Sequence, residues 1–257
     1  MDNLIINFLG QAGFKIDINN TSILIDPYLS NSVSELDSED LVRQVDIPIA
    51  PEKLKNISWT LITHDHIDHC DPKTLPLIYS NNKDCFFVGP SKVRNILRSW
   101  GINSKQIVKA TEKYIDLGNN LRIKTTLAAH PNLEYGDDGF SNYIGWIMEL
   151  GSKKVYFAGD TSVCDELLNE LKSYGSIDIG FLPVNEDNFF RRRRGIIGNM
   201  SIREAFELAA ETGIKEVFPV HWDMFKVNSA IPKEIKIIYD NYTWPFKLTM
   251  GLNKIKI

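Results

Sequence analysis

The chain has 257 residues, of which 43% are hydrophobic and 24% charged, a composition typical of a folded globular domain rather than a disordered or fibrous protein. Its net charge of −4 argues against a surface for long nucleic acids, although a local basic patch is compatible with it. No run approaches the roughly 20 apolar residues of a membrane-spanning helix, the first ten residues lack the basic region of a secretory signal, and the three cysteines are too scattered for a disulfide framework. We therefore expect a single domain over residues 1–257, with no membrane partner and a cytoplasmic location.

The first half of the chain is predicted to begin with short strands separated by turns. Strands are expected at residues 4–9, 14–18 and 22–25, and together they predict an antiparallel meander. Residues 30–45 show no clear period, which indicates a loop or a short surface helix. A strand at 60–63 leads into a histidine-rich run, and a strand at 86–88 precedes a helix at 91–100.

The second half alternates strands with helices. Strands are expected at residues 122–127, 143–149, 154–157, 177–182 and 216–220. Ser201 and Glu204 have the spacing of a capping box, which predicts a helix that extends to Thr212 and ends at Gly213 in a left-handed conformation. Periodicity alone is compatible with an α/β or an α+β fold, in which two sheets pack together with helices outside.

The positions of the five histidines indicate a metal site. His64, His66 and His69 fall within six residues, whereas His130 and His221 each follow a short run of apolar or small residues, where a sheet can deliver side chains to its edge. Because His64 and His66 are two residues apart, an extended backbone would project them to the same side. Imidazoles suit zinc, manganese or iron.

Carboxylates and one cysteine are the other candidate ligands. Asp68 lies inside the histidine-rich run, and Asp160 follows the strand at 154–157 in a glycine-containing turn that permits close approach to a site. The competing interpretation of Asp160 is a helix N-cap or a turn residue. Asp26 is explained at least as well by a structural turn as by a role in the site. Cys70 is more simply explained as a small buried residue than as a ligand.

The run from Thr63 to His69 resembles the T-H-x-H-x-D-H signature of the metallo-β-lactamase superfamily. His130, Asp160 and His221 follow in the order of that family's other motifs. The resemblance implies an α/β fold of the αββα sandwich type, with two mixed sheets and helices on their outer faces. It also implies a ligand set, in which one metal is held by His64, His66 and His130, a second by Asp68, His69 and His221, and both by a bridging Asp160.

Such a site implies one or two divalent metal ions per chain, zinc or manganese in the first place and iron as an alternative. The reaction it implies is attack by a metal-bound hydroxide on an acyl or phosphoryl centre. If only one position binds a metal, Asp68 is free to act as a general base or acid, and we name it as the catalytic residue.

Several further runs are similar to those of the L-ascorbate-6-phosphate lactonase group, at residues 8–14, 23–30, 142–143, 176–180 and 194–201. This resemblance implies a hydrolase that opens a lactone or an ester of an acidic or phosphorylated carbohydrate-like substrate. Two other hypotheses stay open. One is a phosphodiesterase or nuclease of the same fold, and the other is a non-hydrolytic iron or binding protein on the same scaffold.

Two phenylalanines and four arginines at 189–194 depart from the lactonase pattern up to Arg194, which abuts the similar segment at 195–200. Arginine can bind phosphate or carboxylate through two parallel hydrogen bonds, so the run favours a small anionic substrate. Arg194 is the best single candidate for substrate binding, and Asn199, just before the capped helix, is a second. The alternative interpretation is a solvated basic loop or a contact between subunits of a homo-oligomer.

Overall fold

The computed structural model describes residues 4–251 and 254–257, so residues 1–3 of the N-terminal stretch lie outside it. Over the described residues the chain forms fourteen β-strands in two seven-stranded sheets, together with seven α-helices. Within the same ranges, no helix combines the length and the apolar character that crossing a bilayer requires.

The first sheet combines the antiparallel meander with a parallel half. Its strands are β1 (Leu4–Gly10), β2 (Gly13–Ile18), β3 (Thr21–Ile25), β4 (Ile57–Leu61), β5 (Phe86–Gly89), β6 (Ile107–Lys109) and β14 (Lys254–Lys256). They lie in the order β14-β1-β2-β3-β4-β5-β6. The strands β1 to β3 are antiparallel, as predicted, and β3 to β6 are parallel.

The second sheet mirrors this arrangement. Its strands are β7 (Ile115–Gly118), β8 (Leu121–Leu127), β9 (Ile144–Leu150), β10 (Lys153–Phe157), β11 (Ile179–Pro183), β12 (Glu216–Val220) and β13 (Lys247–Leu248). Their order is β13-β12-β11-β10-β9-β8-β7, antiparallel from β7 to β10 and parallel from β10 to β13. The five strands predicted in this half agree with the structure within two residues at each end.

The helices connect the strands on the outside of the sheets. They are α1 (Ser32–Leu36), α2 (Leu75–Asn81), α3 (Ser91–Ser99), α4 (Asp165–Ser173), α5 (Phe189–Arg192), α6 (Ile202–Thr212) and α7 (Pro232–Asp240), with 3₁₀ turns at Pro51–Lys53, Ser104–Gln106 and Lys226–Asn228. The capping box of Ser201 and Glu204 is formed, and Gly213 ends α6 with φ 69°. The sequence pattern does not predict α2, α4, α5 or α7, which have nine residues or fewer and lack the capping box of α6.

Three apolar layers hold the sandwich together. Between the sheets, Phe14 packs against Phe181 with ring centroids 4.4 Å apart, inside a core drawn from both sheets. Buried side chains of α2 and α3 cover the outer face of the first sheet, and those of α4, α6 and α7 cover the second. This is the expected αββα sandwich, and burial of these apolar faces is its main stabilising contribution.

Candidate metal centre

The predicted ligands meet at one edge of the sandwich, where strands of both sheets end. The run His64–His69 follows β4, His130 follows β8, Asp160 follows β10 and His221 follows β12. Parallel strands place their carboxyl ends at the same edge of a sheet, which is where ligand sites of such folds form. The two sheets together therefore supply the site.

The strand before the histidine run ends earlier than the sequence predicts. β4 stops at Leu61, because the backbone N–H of Thr63 donates to Asp26 Oδ1 at 2.8 Å instead of to a neighbouring strand. His64 and His66 thus lie on the loop that follows β4, outside any strand of the sheet. The loop nevertheless brings their rings together, with centroids 4.6 Å apart.

The seven predicted ligands form two adjoining groups. In each group the potential ligand atoms lie within 4.8 Å of one another, and the groups are His64, His66, His130 and Asp160, and then Asp68, His69 and His221. Asp160 also contacts the second group, since its Oδ1 lies 3.3 Å from His69 Nε2 and its Oδ2 lies 3.3 Å from His221 Nε2. It has the position of a shared ligand and not of a helix cap, because α4 is preceded by Cys164.

Asp26 orients the imidazoles from behind. Its Oδ2 accepts hydrogen bonds from the Thr63 hydroxyl at 2.6 Å and from His69 Nδ1 at 2.8 Å. Because the hydroxyl gives its proton to Asp26, the Thr63 oxygen accepts from His64 Nδ1 at 3.0 Å. Both rings then turn the Nε2 lone pair towards the cluster, an arrangement that metal-binding histidines use. The structure thus gives Asp26 a positioning contact, where the sequence could not choose between a turn and the site.

The donor atoms of the cluster fit a divalent metal ion. His64 and His130 are 1% and 2% exposed, yet Nε2 of the first and both ring nitrogens of the second have no hydrogen-bond partner among the described residues. A buried polar atom without a partner costs about 1–3 kcal/mol. Nitrogen and carboxylate donors that converge in this way are suited to a transition metal.

Electrostatics divide the cluster into a neutral and an acidic side. Burial, reinforced by the imidazole of His69, holds the pKa of His64 well below its ordinary value, and burial lowers the pKa of His130 to about 4. Burial also opposes charge on His69, but the carboxylates of Asp160 and Asp68 outweigh it and raise the pKa of that histidine. One side thus offers neutral imidazole ligands, and the other concentrates negative charge that favours a cation.

A cavity of about 460 Å³ opens above the cluster. Asp68 and His66 are half-buried and face it, together with Asp160 and His221, and its apolar walls are Val33, Leu41, Ile67, Ile196, Ile197 and Phe225. The volume is within the range of small-molecule sites.

The first three arginines of the 191–194 run have partners elsewhere in the protein. Arg191 donates to the backbone oxygen of Ser229 at 2.6 Å, and Arg192 Nε donates to Asp187 Oδ2 at 2.8 Å. The guanidinium of Arg193 lies 5.8 Å from the centroid of a phenylalanine ring in α5. These contacts engage the guanidinium groups of the first three arginines, and none of them involves Arg194.

Arg194 lines the cavity above the cluster, and within the described ranges its guanidinium forms no hydrogen bond or ion pair. Asn199 is placed differently. Its side chain is buried, donates to Asn185 Oδ1 at 2.9 Å and is not among the residues that line the cavity. A substrate contact of either residue stays a prediction, and the geometry favours Arg194.

The sequence reasoning missed the side chain of Gln11. It belongs to the turn between β1 and β2, is fully buried, and places its Nε2 2.6 Å from Asp68 Oδ2 and 2.9 Å from His221 Nε2. The sequence pattern identifies only the turn. Its one signal is a long polar side chain where a tight turn usually has Gly or Asn.

Known proteins resemble this chain in sequence and in structure. The family described as "Beta-lactamase superfamily domain" matches residues 21–222. A UPF0173 metal-dependent hydrolase of Alkaliphilus metalliredigens is 26% identical over 234 residues, which cover 90% of this chain and 91% of the relative.

Two solved structures illustrate what the fold carries elsewhere. Igni18, a metallo hydrolase of the archaeon Ignicoccus hospitalis, superposes with a TM-score of 0.71 at 20% identity and covers 99% of this chain and 97% of its own. CmlA, a diiron β-hydroxylase of Streptomyces venezuelae, gives a TM-score of 0.68 at 17% identity over 100% of this chain and 54% of its own. At such identities the likeness shows the fold alone.

Proposed function

The chain belongs to the β-lactamase superfamily domain family, and on that premise we propose that it is a metal-dependent hydrolase that opens a lactone or an ester of a small, acidic or phosphorylated, carbohydrate-like substrate. The observation that carries the proposal is the position of Asp160 between two groups of ligand residues, below a cavity whose wall contains an unpaired Arg194. The similarity of several runs to the ascorbate-phosphate lactonases supports the lactone.

The residues of the two groups would hold the metal. His64, His66 and His130 would bind one ion, Asp68, His69 and His221 a second, and Asp160 both. Bound zinc or manganese would polarise the scissile oxygen and supply a water whose pKa is lowered towards about 7. Iron accepts the same imidazole and carboxylate ligands, and one protein that contains this fold is a diiron hydroxylase.

Asp68 is the residue of the chain best placed to move a proton. Its carboxylate is partly open to the cavity, with 15% of the side chain exposed, whereas Asp160 is 4% exposed behind it. In a two-ion centre Asp68 serves as a ligand, and in a one-ion centre it accepts the proton of the attacking water. Asp26 keeps the neighbouring His69 in the orientation that either arrangement needs.

The residues that line the cavity support this substrate class. Arg194 lies on the cavity wall and has no hydrogen-bond or ion-pair partner among the described residues, so it can bind a phosphate or carboxylate group through charge-assisted hydrogen bonds. The apolar walls can pack against the carbon skeleton of a sugar and exclude bulk water. A cavity of about 460 Å³ suits a small molecule better than a polymer, which places the nuclease hypothesis second.

The test is hydrolysis of three substrates by manganese-loaded and zinc-loaded protein, namely a phosphorylated sugar lactone, the same lactone without phosphate, and a phosphodiester. We expect opening of the phosphorylated lactone. Replacing Arg194 by Ala should lower kcat/KM for that substrate about 10–100-fold, because a hydrogen bond to a charged group contributes about 1.5–3 kcal/mol. The unphosphorylated lactone should be unaffected.

Arg193→Ala is the matched control, since Arg193 is the adjacent arginine and packs on a phenylalanine ring instead. An equal fall in kcat/KM in the two variants would show that Arg194 makes no specific contact with the substrate and that the arginine run is a solvated surface loop. Cleavage of the phosphodiester alone would replace the lactonase assignment with the phosphodiesterase one. Absence of hydrolysis of all three substrates would contradict the proposed substrate class.

A further inference from the structure

We propose that Gln11 is a further ligand of the second metal position, through its side-chain oxygen, and that it favours an ion with five or six nitrogen and oxygen ligands. The inference rests on the proposed function only in that it takes the histidine and aspartate cluster to be a metal centre. It does not depend on which substrate is hydrolysed.

The carboxamide of Gln11 lies where the second group converges. Its Nε2 is 2.6 Å from Asp68 Oδ2 and 2.9 Å from His221 Nε2, and these two atoms are 3.3 Å from each other. Two ligand atoms about 2.1 Å from one ion and at right angles to each other are about 3.0 Å apart. The spacing of the three side chains is therefore that of neighbouring ligands around one ion.

The hydrogen-bonding capacity of Gln11 is only half satisfied by the protein. The amide nitrogen faces Asp68 and His221, whereas Oε1 is buried and has no partner among the described residues. A rotation of 180° about the last side-chain bond exchanges the two ends without changing the shape of the group. An oxygen that then faces the Asp68 carboxylate is repelled, unless a cation lies between them. A metal ion between Oε1 and the carboxylate would relieve this repulsion and replace the hydrogen bond that the amide nitrogen gives up, and the amide N–H groups would then lie where Oε1 lies now.

The backbone holds Gln11 in this place at an energetic cost. Gln11 has φ 58°, a left-handed value that glutamine rarely adopts and that costs about 1–3 kcal/mol, and His221 has φ 60°, where histidine is found more often. The two are also tied together, because the backbone N–H of His221 donates to the carbonyl oxygen of Gln11 at 2.9 Å. The turn is thus built to keep this side chain against His221.

The resulting ligand set indicates which ion the position prefers. With Gln11 the second position has five nitrogen and oxygen donors, the others being Asp68, His69, His221 and the shared Asp160. Zinc sites with histidine and carboxylate ligands usually have three or four protein ligands. Carbonyl and carboxylate oxygens in higher coordination suit manganese, and mixed imidazole and carboxylate sets also suit iron. Gln11 therefore favours Mn²⁺ over Zn²⁺ at this position.

The test measures metal affinity directly. The full-length protein is stripped with a chelator, and Mn²⁺ and Zn²⁺ are titrated in competition with a chromophoric chelator, with metal content checked by mass spectrometry. We expect two Mn²⁺ per wild-type chain, and in Gln11→Ala a loss of about 10–100-fold in the affinity of one of the two. The affinity for Zn²⁺ should fall less. Gln11→Glu, which keeps a side-chain oxygen and nearly the same shape, should retain both ions.

Gln44→Ala is the control, since the side chain of Gln44 is exposed and its hydrogen bond is to the backbone oxygen of Val42, not to a residue of the cluster. Unchanged Mn²⁺ affinity in Gln11→Ala would overturn the inference, and so would loss of both ions together in Gln11→Ala and Gln11→Glu. A protein whose second Mn²⁺ depends on Gln11 but which hydrolyses no substrate upholds the inference and contradicts the proposed function. If the protein hydrolyses the lactone but the affinity of its second Mn²⁺ is unchanged in Gln11→Ala, the proposed function is upheld and the inference about Gln11 is contradicted.

Discussion

Gln11, Asp26 and His221 share an uncommon backbone conformation, with φ between 40° and 60°. The other non-glycine residues with positive φ in the described ranges are asparagines, which tolerate this region well. Aspartate and histidine are also enriched at such values, so this geometry is unfavourable chiefly at Gln11. It persists because buried hydrogen bonds hold each of the three side chains or backbones in place.

The chemistry of single residues explains what the sequence could reveal at this scale. Histidine is rare in the chain and chemically specific, so five of them at the ends of predicted strands indicate a metal site. Asp26 and Gln11 give no such signal, because their meaning depends on partners far away in sequence: Asp26 binds Thr63, and Gln11 contacts His221. A pattern of neighbouring residues does not contain these pairings.

The positioning role of Asp26 can be tested by removing its carboxylate. Asp26→Ala leaves the N–H and hydroxyl of Thr63 and the Nδ1 of His69 without an acceptor in a buried site. We expect the free energy of unfolding of the metal-free protein to fall by about 2–4 kcal/mol, and metal affinity to fall about 10–100-fold. Urea unfolding and metal competition measure the two effects.

A matched control for this experiment is Asp240→Ala, which removes an exposed carboxylate paired with Lys236. Exposed pairs of this kind contribute little, so neither stability nor metal affinity should change appreciably. Metal affinity in Asp26→Ala equal to that of the wild type would show that the Asp26 contacts are structural only.

At the scale of single elements, predictions succeed where the signal is local. The helix α6 has its capping box and its left-handed stop at Gly213 in the sequence itself, and both are confirmed. The end of β4 was misplaced, because Thr63 leaves the sheet to bind Asp26, a tertiary contact. Short helices such as α4 were missed since their stability comes from packing against the sheet and not from their own pattern.

The turn after β10 shows how an element delivers a ligand. Gly159 has φ 62°, and a Cβ there would lie 2.8 Å from the Ile144 carbonyl oxygen and 2.9 Å from Thr63 Cγ2. Gly159→Ala should therefore lower the free energy of unfolding by more than the conformational cost of about 1–3 kcal/mol. It should also lower turnover, because the clash displaces the adjacent Asp160. Urea unfolding and steady-state kinetics are the measurements.

Gly151→Ala separates the conformational cost of a left-handed alanine from the steric clash. Gly151 has nearly the same φ, 59°, and no described atom lies within 4 Å of an added Cβ. It should show the conformational cost alone and keep full turnover. If the two variants have equal stability and equal turnover, the close approach at Gly159 does not position Asp160.

At the scale of the whole molecule, the candidate site belongs to neither sheet alone. The first sheet supplies the loop with His64 and His69, and the second supplies His130, Asp160 and His221. The core between the sheets, which includes the contact of Phe14 with Phe181, sets their distance and so the spacing of the residues within each ligand group, since each group draws on both sheets. The apolar packing between the sheets thus determines the positions of the residues that would bind the metal.

This origin also limits what the sequence can predict. The order of the motifs and their resemblance to a known family were enough for the fold, and the seven residues that the resemblance implies as ligands lie together in the structure. The position of Arg194 in the cavity wall could not be predicted, because its three neighbours are also arginines and only their contacts with the protein distinguish them from it. Charge runs of this kind can be sorted only after the surrounding chain is in place.

The central claim is that hydrolysis requires metal bound by this cluster, and the most direct measurement is a metal titration of activity. Chelated wild-type protein and Asp68→Asn are titrated with Mn²⁺ while opening of a phosphorylated sugar lactone is followed. The account predicts no turnover without metal, recovery that saturates at one or two ions per chain, and a loss of about 10²–10⁴-fold in Asp68→Asn. Turnover that persists in the chelated protein, or that is as fast in Asp68→Asn as in the wild type, would contradict it.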